Sequence, residues 1–474
     1  MTFLAVVLVL LTQAGQTASS SNRAQEENAM TASPLSANLP GEVIRRGDPA
    51  YDSARAVFNG MIDRYPLVIV RCREPGEVVR GVEFARERAL PLAVRGGGHN
   101  VAGNAVCDDG VVLDLSPMKN LRIDQRSLTA VAGPGLTLGE FDRGSQAHGL
   151  ATPLGIVSMT GIAGLTLGGG LGWLNGKYGL SCDNLLGAEL VTANGRIVRA
   201  GPQDDEDLLW GLRGGGGNFG IVTSFRYRVH PVTTVLAGGM SYPWSRLRDV
   251  LKGYAELMHG APDELATAVS VGLDPTRNPV LNIALCWCGP PDEGERVIRP
   301  LRSLGPPLAV SIESMPYVDW QSTPDPGFPL GQQHYWKAGW LRHITEDVID
   351  VLEDFIPRMP SVASGVGLQR MRGVAARVEP SATAFANRVE QDDLLILSQW
   401  EDPSDSDRNI TWTRELFAGL SPHLDKAAYV NNLGNEGPQR VRAAYGPNYE
   451  RLLALKRVYD PDNLFRLNQN IAPS

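Results

Sequence analysis

Glycine set into an otherwise apolar chain is the strongest constraint on how this protein can fold. From Pro153 to Asn184 the sequence runs PLGIVSMTGIAGLTLGGGLGWLNGKYGLSCDN, which places Gly161, Gly164, Gly168, Gly169, Gly170, Gly172 and Gly176 among apolar residues and closes on one cysteine, Cys182. Such density strips side chains from a backbone that must still pack. That suits close approach of main chain to a flat or phosphorylated ligand, with positive φ at several turns. Upstream, an apolar run PLAV leads directly into Arg95-Gly96-Gly97-Gly98-His99-Asn100, a glycine turn carrying a single histidine. The two segments together predict a cradle for a large cofactor, with two candidate attachment atoms.

At 474 residues the chain exceeds the length at which one core stops growing, so more than one domain is expected. Glycine accounts for 52 residues, and its excess lies between residues 96 and 220 without a periodic repeat, which excludes collagen-like or low-complexity chains. A net charge of -8 without long basic runs argues against nucleic acid and anionic membrane surfaces as partners and leaves a small-molecule role. The apolar run FLAVVLVLL at residues 3–11 is too short to span a membrane but long enough for a signal-peptide core, although no Lys or Arg precedes it. The protein is therefore expected to be secreted if residues 1–20 act as a signal, and cytoplasmic if the folded chain starts at Met30. Cys72, Cys107, Cys182, Cys286 and Cys288 show no metal-type spacing, so no metal site is expected.

Strands are expected at 67–70, 92–95, 111–115 and 128–133, with an amphipathic helix after Glu74-Pro75 and another over 137–148 capped by Thr137. Asn194-Gly195 between two apolar runs predicts a hairpin. Gly215, Gly217 and Gly220 fit a dinucleotide fingerprint, yet the segment follows a helix and opens a strand, the reverse of a Rossmann unit. After His230-Pro231 glycine thins out, and strands near 236–241, 267–272, 280–288 and 308–313 alternate with helices near 246–259, 292–302 and 344–358. A helical tail follows Pro438.

Four segments in order, RGGGHN (95–100), the glycine run to KYGLSCDN (177–184), GGGNFGIV (215–222) and YDPDNLFRLNQNI (459–471), resemble the berberine bridge enzyme-like flavin oxidases of the vanillyl-alcohol oxidase superfamily. The likeness covers about residues 60–235 and 425–474. It implies an α+β fold: a two-part PCMH-type FAD-binding domain (40–235) after a leader (1–39), an antiparallel-sheet α/β substrate domain (236–425), and a C-terminal berberine-like segment (426–474) returning to the FAD domain. It further implies FAD held by two covalent links, His99 to the 8α-methyl carbon and Cys182 to ring carbon 6. Gly96, Gly97, Gly98 and Asn100 would give amide donors to the pyrophosphate, with Arg95 among the cofactor-binding residues. Thr160, Gly161, Gly164, Gly168, Gly169, Gly170, Asp183, Asn184, Gly220, Ile221 and Val222 would line the rest, and Asn468 and Asn470 would reach the flavin edge.

The implied reaction moves hydride from a C–H bond of an alcohol, sugar, phenolic or other secondary metabolite to the flavin, then electrons to O₂, while a protein base takes a proton. Tyr178, beside Lys177, and Tyr445 are the candidate catalytic residues; a nearby ammonium would lower a phenol's pKa. The chain departs from many relatives, which carry Y-x-N-Y where this one reads Tyr429-Val430-Asn431-Asn432, and H-D-Y-E-G where this one reads His99-Asn100-Val101-Ala102-Gly103. Both changes remove a phenol. The base is then open to Tyr335, His334, Glu401 and Gln399 of the middle domain as well. A flavin dehydrogenase with a non-oxygen acceptor and a secreted, non-catalytic binding protein are the competing readings.

Overall fold

The structure is a computed structural model that describes Leu39 and residues 41–473. Apart from Leu39, the expected leader at 1–39 lies outside the described residues. Strands β1 (Glu42–Arg45), β2 (Val68–Arg71), β3 (Leu92–Arg95) and β4 (Val111–Asp114) form a sheet in the order β1-β2-β4-β3. β4 runs parallel to both β2 and β3, and the helix Pro75–Glu87 makes the crossover. Burial on both faces explains why β2 and β4 read as unbroken apolar runs.

A second, antiparallel sheet is built from β5 (Leu121–Asp124), β6 (Thr129–Ala132), β8 (Leu185–Val191), β9 (Ile197–Ala200) and β10 (Ile221–Arg228) in the order β5-β6-β10-β8-β9, while β7 (Leu150–Ala151) pairs with β11 (His230–Pro231). The helix Leu138–Gln146 starts in a full capping box between Thr137 and Glu140. Asn194-Gly195 does turn the β8-β9 hairpin, but as a longer loop: Thr192 N donates to Arg196 O, and Gly195 alone takes positive φ. As the sequence predicts, the glycine turn at 214–220 follows a helix (Glu206–Leu212) and opens β10, so no Rossmann unit forms there.

β12 (Thr234–Pro243), β13 (Leu265–Leu273), β14 (Pro279–Trp287), β15 (Ala309–Pro316), β16 (Gln333–Leu341), β17 (Gly365–Met371) and β18 (Gln391–Trp400) form a seven-stranded sheet in the order β15-β12-β14-β13-β17-β18-β16, antiparallel throughout. One face carries Val269, Val271, Leu281, Ile283, Val366, Leu368, Leu394 and Ile396 against the helices Leu247–Met258, Glu346–Phe355 and Ser406–Leu420. Sequence reasoning missed β16, β17, β18 and the last of these helices. Gln333–Leu341 and Gln391–Trp400 are buried along almost their whole length, so their polar residues break the alternation that marks a strand.

The C-terminal segment closes the molecule. It carries the helices Pro438–Tyr445 and Tyr449–Tyr459, and in the last turn of the second the Lys456 ammonium is fully buried and donates to Asp460 Oδ2 (2.6 Å), Phe465 O (2.9 Å) and Asn218 O (3.1 Å). That one cation ties residues 456–465 to the glycine turn ahead of β10. All five cysteines are buried and free, and among the described residues no group of side chains could hold a metal ion and no helix is long and apolar enough to cross a membrane.

Candidate active site

Between the glycine-rich turns and the open face of the seven-stranded sheet lies a cavity of about 770 Å³. Gly96, Gly97, Gly98, His99 and Asn100 line one part, Thr160, Gly161, Gly164 and Gly168 another, and Gly216, Gly217, Gly220, Ile221, Val222 and Asn468 a third. The turn at 95–100 needs glycine in two ways. Gly98 has φ +68°, and a Cβ on Gly97 would stand 2.4 Å from Gly161 N, so the two cradle segments touch backbone to backbone. At Gly164 and Gly217, by contrast, a Cβ would meet nothing within 4 Å: these positions open onto the cavity itself. Such a trough with bare walls fits a long, flat ligand.

His99 sits on this wall, half-buried, with a buried Nε2 that lacks any hydrogen-bond partner. Its ring stacks on Phe58 at 3.8 Å, and the far side of Phe58 stacks on His334 at 4.3 Å. Asn59 fixes that sandwich by bridging the two segments, donating to Val101 O (2.8 Å) and His334 O (3.0 Å). Burial pushes the His99 imidazole down to about 4, so it is neutral at physiological pH. A neutral imidazole with a free nitrogen is a competent nucleophile.

Cys182 is placed differently. It does not line the cavity; it is fully buried with Leu180, Trp340, Met371, Phe385 and Tyr429. Its Sγ lies 3.7 Å from Asp183 Oδ1 and 3.9 Å from Arg388, and burial pushes the thiol up, away from the thiolate. The structure thus does not bring the second expected attachment atom to the cavity: Cys182 is packed among these side chains and is absent from the cavity wall. Its neighbours are structural as well. Asp183 pairs with Arg388 at 2.6 Å, and Asn184 donates to Tyr178 O and Leu180 O while its Oδ1 meets His230 Nε2. Gly169 and Gly170 have positive φ and pack against the C-terminal segment, where Gly170 N donates to the Tyr429 hydroxyl at 2.8 Å. Arg95 is spent on Asp114 (2.7 Å) and on the carbonyls of Ala54 and Ala56. Asn470 does not line the cavity.

Neither predicted catalytic tyrosine offers a base. Tyr178 stacks on His230 at 4.0 Å outside the cavity, and burial raises its pKa to about 12. The Lys177 ammonium stands 5.5 Å over the Tyr178 ring centre and donates to Cys288 O, and it does not offset the effect of burial. Tyr445 does reach the cavity, but its hydroxyl is held by the carbonyls of Gly215 (3.3 Å) and Gln469 (3.2 Å), and burial again raises its pKa. Of the middle-domain candidates, Gln399 lines the cavity, whereas Tyr335, His334 and Glu401 do not.

The opposite wall follows from strand alternation. On β18, Asp393, Leu395, Leu397 and Gln399 share the cavity face while Leu394 and Ile396 face the helices. Across the sheet the same face presents Gly365, Gly367 and Gln369 on β17, Ala268, Ser270 and Gly272 on β13, and Asn282 and Ala284 on β14. Small residues keep this floor low. Among the described residues, Asp393 is the one carboxylate buried in it. It was not singled out from the sequence, although its parity with Leu395, Leu397 and Gln399 could have marked it once the strand was found.

Residues 66–201 match the family described as FAD binding domain, and residues 428–472 match the family of berberine and berberine-like proteins. An FAD-linked oxidoreductase of Dictyostelium discoideum is 33% identical over 443 residues, spanning 92% of this chain and 95% of the relative. (R)-6-hydroxynicotine oxidase of Paenarthrobacter nicotinovorans is 32% identical, spanning 93% of this chain and 98% of that one. The crystal structure of 6-hydroxy-D-nicotine oxidase from Arthrobacter nicotinovorans superposes with a TM-score of 0.86 at 30% identity, covering 94% of this chain and 100% of that one.

Proposed function

Because this chain belongs to the berberine-like FAD-linked oxidoreductases, we propose that it is an oxidase that carries FAD on a single covalent bond to His99 and passes electrons from a small organic substrate to O₂. The observation that carries this reading is the half-buried, neutral His99 with its unpartnered Nε2 on the wall of the glycine cradle. Bound there, FAD supplies the two-electron acceptor for a substrate C–H bond. The chain does the rest. Main-chain amides of Gly96–His99 offer donors to phosphate oxygens, and Gly164 and Gly217 leave room for the cofactor's length. Phe58 and Asn59 hold the imidazole in one orientation. Val280, Trp336, Leu395 and Leu397 keep water from the opposite wall, a lining that suits an apolar or aromatic substrate better than a sugar.

The test is flavin retention. Acid-precipitated protein should stay yellow and carry the mass of one FAD; His99→Ala should release all of it, and Cys182→Ala should release none. Covalent flavin mass retained in His99→Ala would overturn the single-link reading. Peroxide formed under air, with a substrate that bleaches the flavin, separates an oxidase from a dehydrogenase.

A further inference from the structure

One rim of the cavity is a stretch of chain with few ties to the rest of the molecule. Residues 322–332, STPDPGFPLGQ, join the helix Tyr317–Gln321 to β16, and both ends are fixed: Gln321 is buried and donates to Gly155 O, while Gln332 O accepts from Gly60 N at 2.7 Å. Between these ends Pro324, Pro326, Gly327 and Phe328 line the cavity, yet Pro326 and Gly327 are also exposed. A single thickness of chain therefore separates the chamber from solvent here. Every backbone N–H bond donated from Ser322 to Phe328 runs to a carbonyl no more than four residues back. Among the described residues, two hydrogen bonds alone join 324–331 to other elements: Ser158 N donates to Asp325 Oδ1 at 2.8 Å, and Gln399 Nε2 donates to Gly327 O at 3.2 Å. Ser158 belongs to the glycine-rich stretch and Gln399 to the sheet wall, so the loop bridges the two.

Its composition suits a flap that moves as one piece. Pro324, Pro326 and Pro329 fix φ and stiffen the loop, whereas Gly331, at φ +83° with nothing within 4 Å of a Cβ, leaves the junction with β16 free to turn. Inward, Phe328 is half-buried against Phe58, Val101 and Trp336, the cluster whose Phe58 ring stacks on His99. Outward, Leu330 is 71% exposed. Loops that cover a site and make few long-range bonds lie at the low end of local stability, and their opening admits substrate. We propose that residues 322–332 are the lid of the chamber, with Asp325 as its latch, Gly331 as its hinge and Phe328 as its plug, so that small molecules enter when the bond from the Ser158 amide breaks. The inference needs only the cavity and goes beyond the oxidase reading.

A thiol placed in the chamber tests it. Leu397 lines the cavity in the same cluster as Phe328, and all five native cysteines are buried, so Leu397→Cys in the holoenzyme offers one thiol behind the lid to N-ethylmaleimide. Asp325→Ala removes the latch and should speed labelling of that peptide about tenfold, while Asp325→Asn keeps an acceptor oxygen and should change it less than about threefold. Hydrogen exchange should rise in residues 322–332 of Asp325→Ala and stay as it is in β13 and β17. Labelling that Asp325→Ala leaves unchanged would overturn the proposal, because small molecules would then enter by another route. Protection lost equally from β13 and β17 would also overturn it, since that marks general loosening. Labelling needs no turnover, so a failure to form peroxide would count against the oxidase reading alone.

Discussion

The two walls of the cavity are made in opposite ways. The cradle at 95–100, 160–168 and 216–222 is backbone, cleared of side chains so that chain segments meet each other and a ligand. The wall on β13, β14, β17 and β18 is side chain, a row of alternate positions on a sheet whose other face is the core. A backbone wall has one solution, while a side-chain wall can be rewritten residue by residue. The cofactor side is therefore fixed by glycine and the substrate side by choices such as Asp393.

Breaking the cradle from behind should have the largest effect. Lys456→Met leaves Asp460 buried without its cation, which costs ~3–5 kcal/mol, and the variant should purify with a lowered melting temperature and little flavin. The sheet wall should respond in the other direction. The folded pKa of Asp393 lies above the ordinary carboxylate value, so the stability tied to its protonated form is present at low pH and is lost as pH rises from about 4 to about 7. Asp393→Asn should thus be more stable than wild type at pH 8, by on the order of 2–4 kcal/mol, and equal to it near pH 4, as read by denaturant titration.

Two glycine substitutions sharpen the contrast. Gly161→Ala puts a Cβ 2.4 Å from Gly97 N and should cost about 1–3 kcal/mol together with flavin affinity. Gly367→Ala, on the floor, meets nothing within 4 Å, so melting should hold while the affinity for bulky substrates falls. Smallest is Cys182→Ala, a buried truncation worth ~1 kcal/mol with the flavin bond intact.

The cradle was legible because its signal is local. Glycine clusters, one histidine and the C-terminal NQN all fall in short runs, and the strand and cap signals around them are strong. The sheet wall was not, since β17 lies more than ninety residues from β13, the strand it extends, β18 is placed only through β17, and their meaning depends on register. The misassignment of Cys182 has a related cause. It sits next to a motif that does shape the site, yet the 3₁₀ turn Cys182–Asn184 leaves it buried in a cluster with Trp340 and Phe385 and off the cavity lining. Proximity in sequence to a cradle says nothing about which side of it a side chain faces.

The berberine-like tail completes the glycine run from outside: Tyr429 and Asn431 press on Gly168 to Gly170, and Lys456 clamps Asn218 from the last helix. A ribosome presents residues 95–222 long before it finishes residue 456. The trough consequently stays unfinished until the berberine-like segment has emerged and docked, which makes cofactor capture a late event in folding.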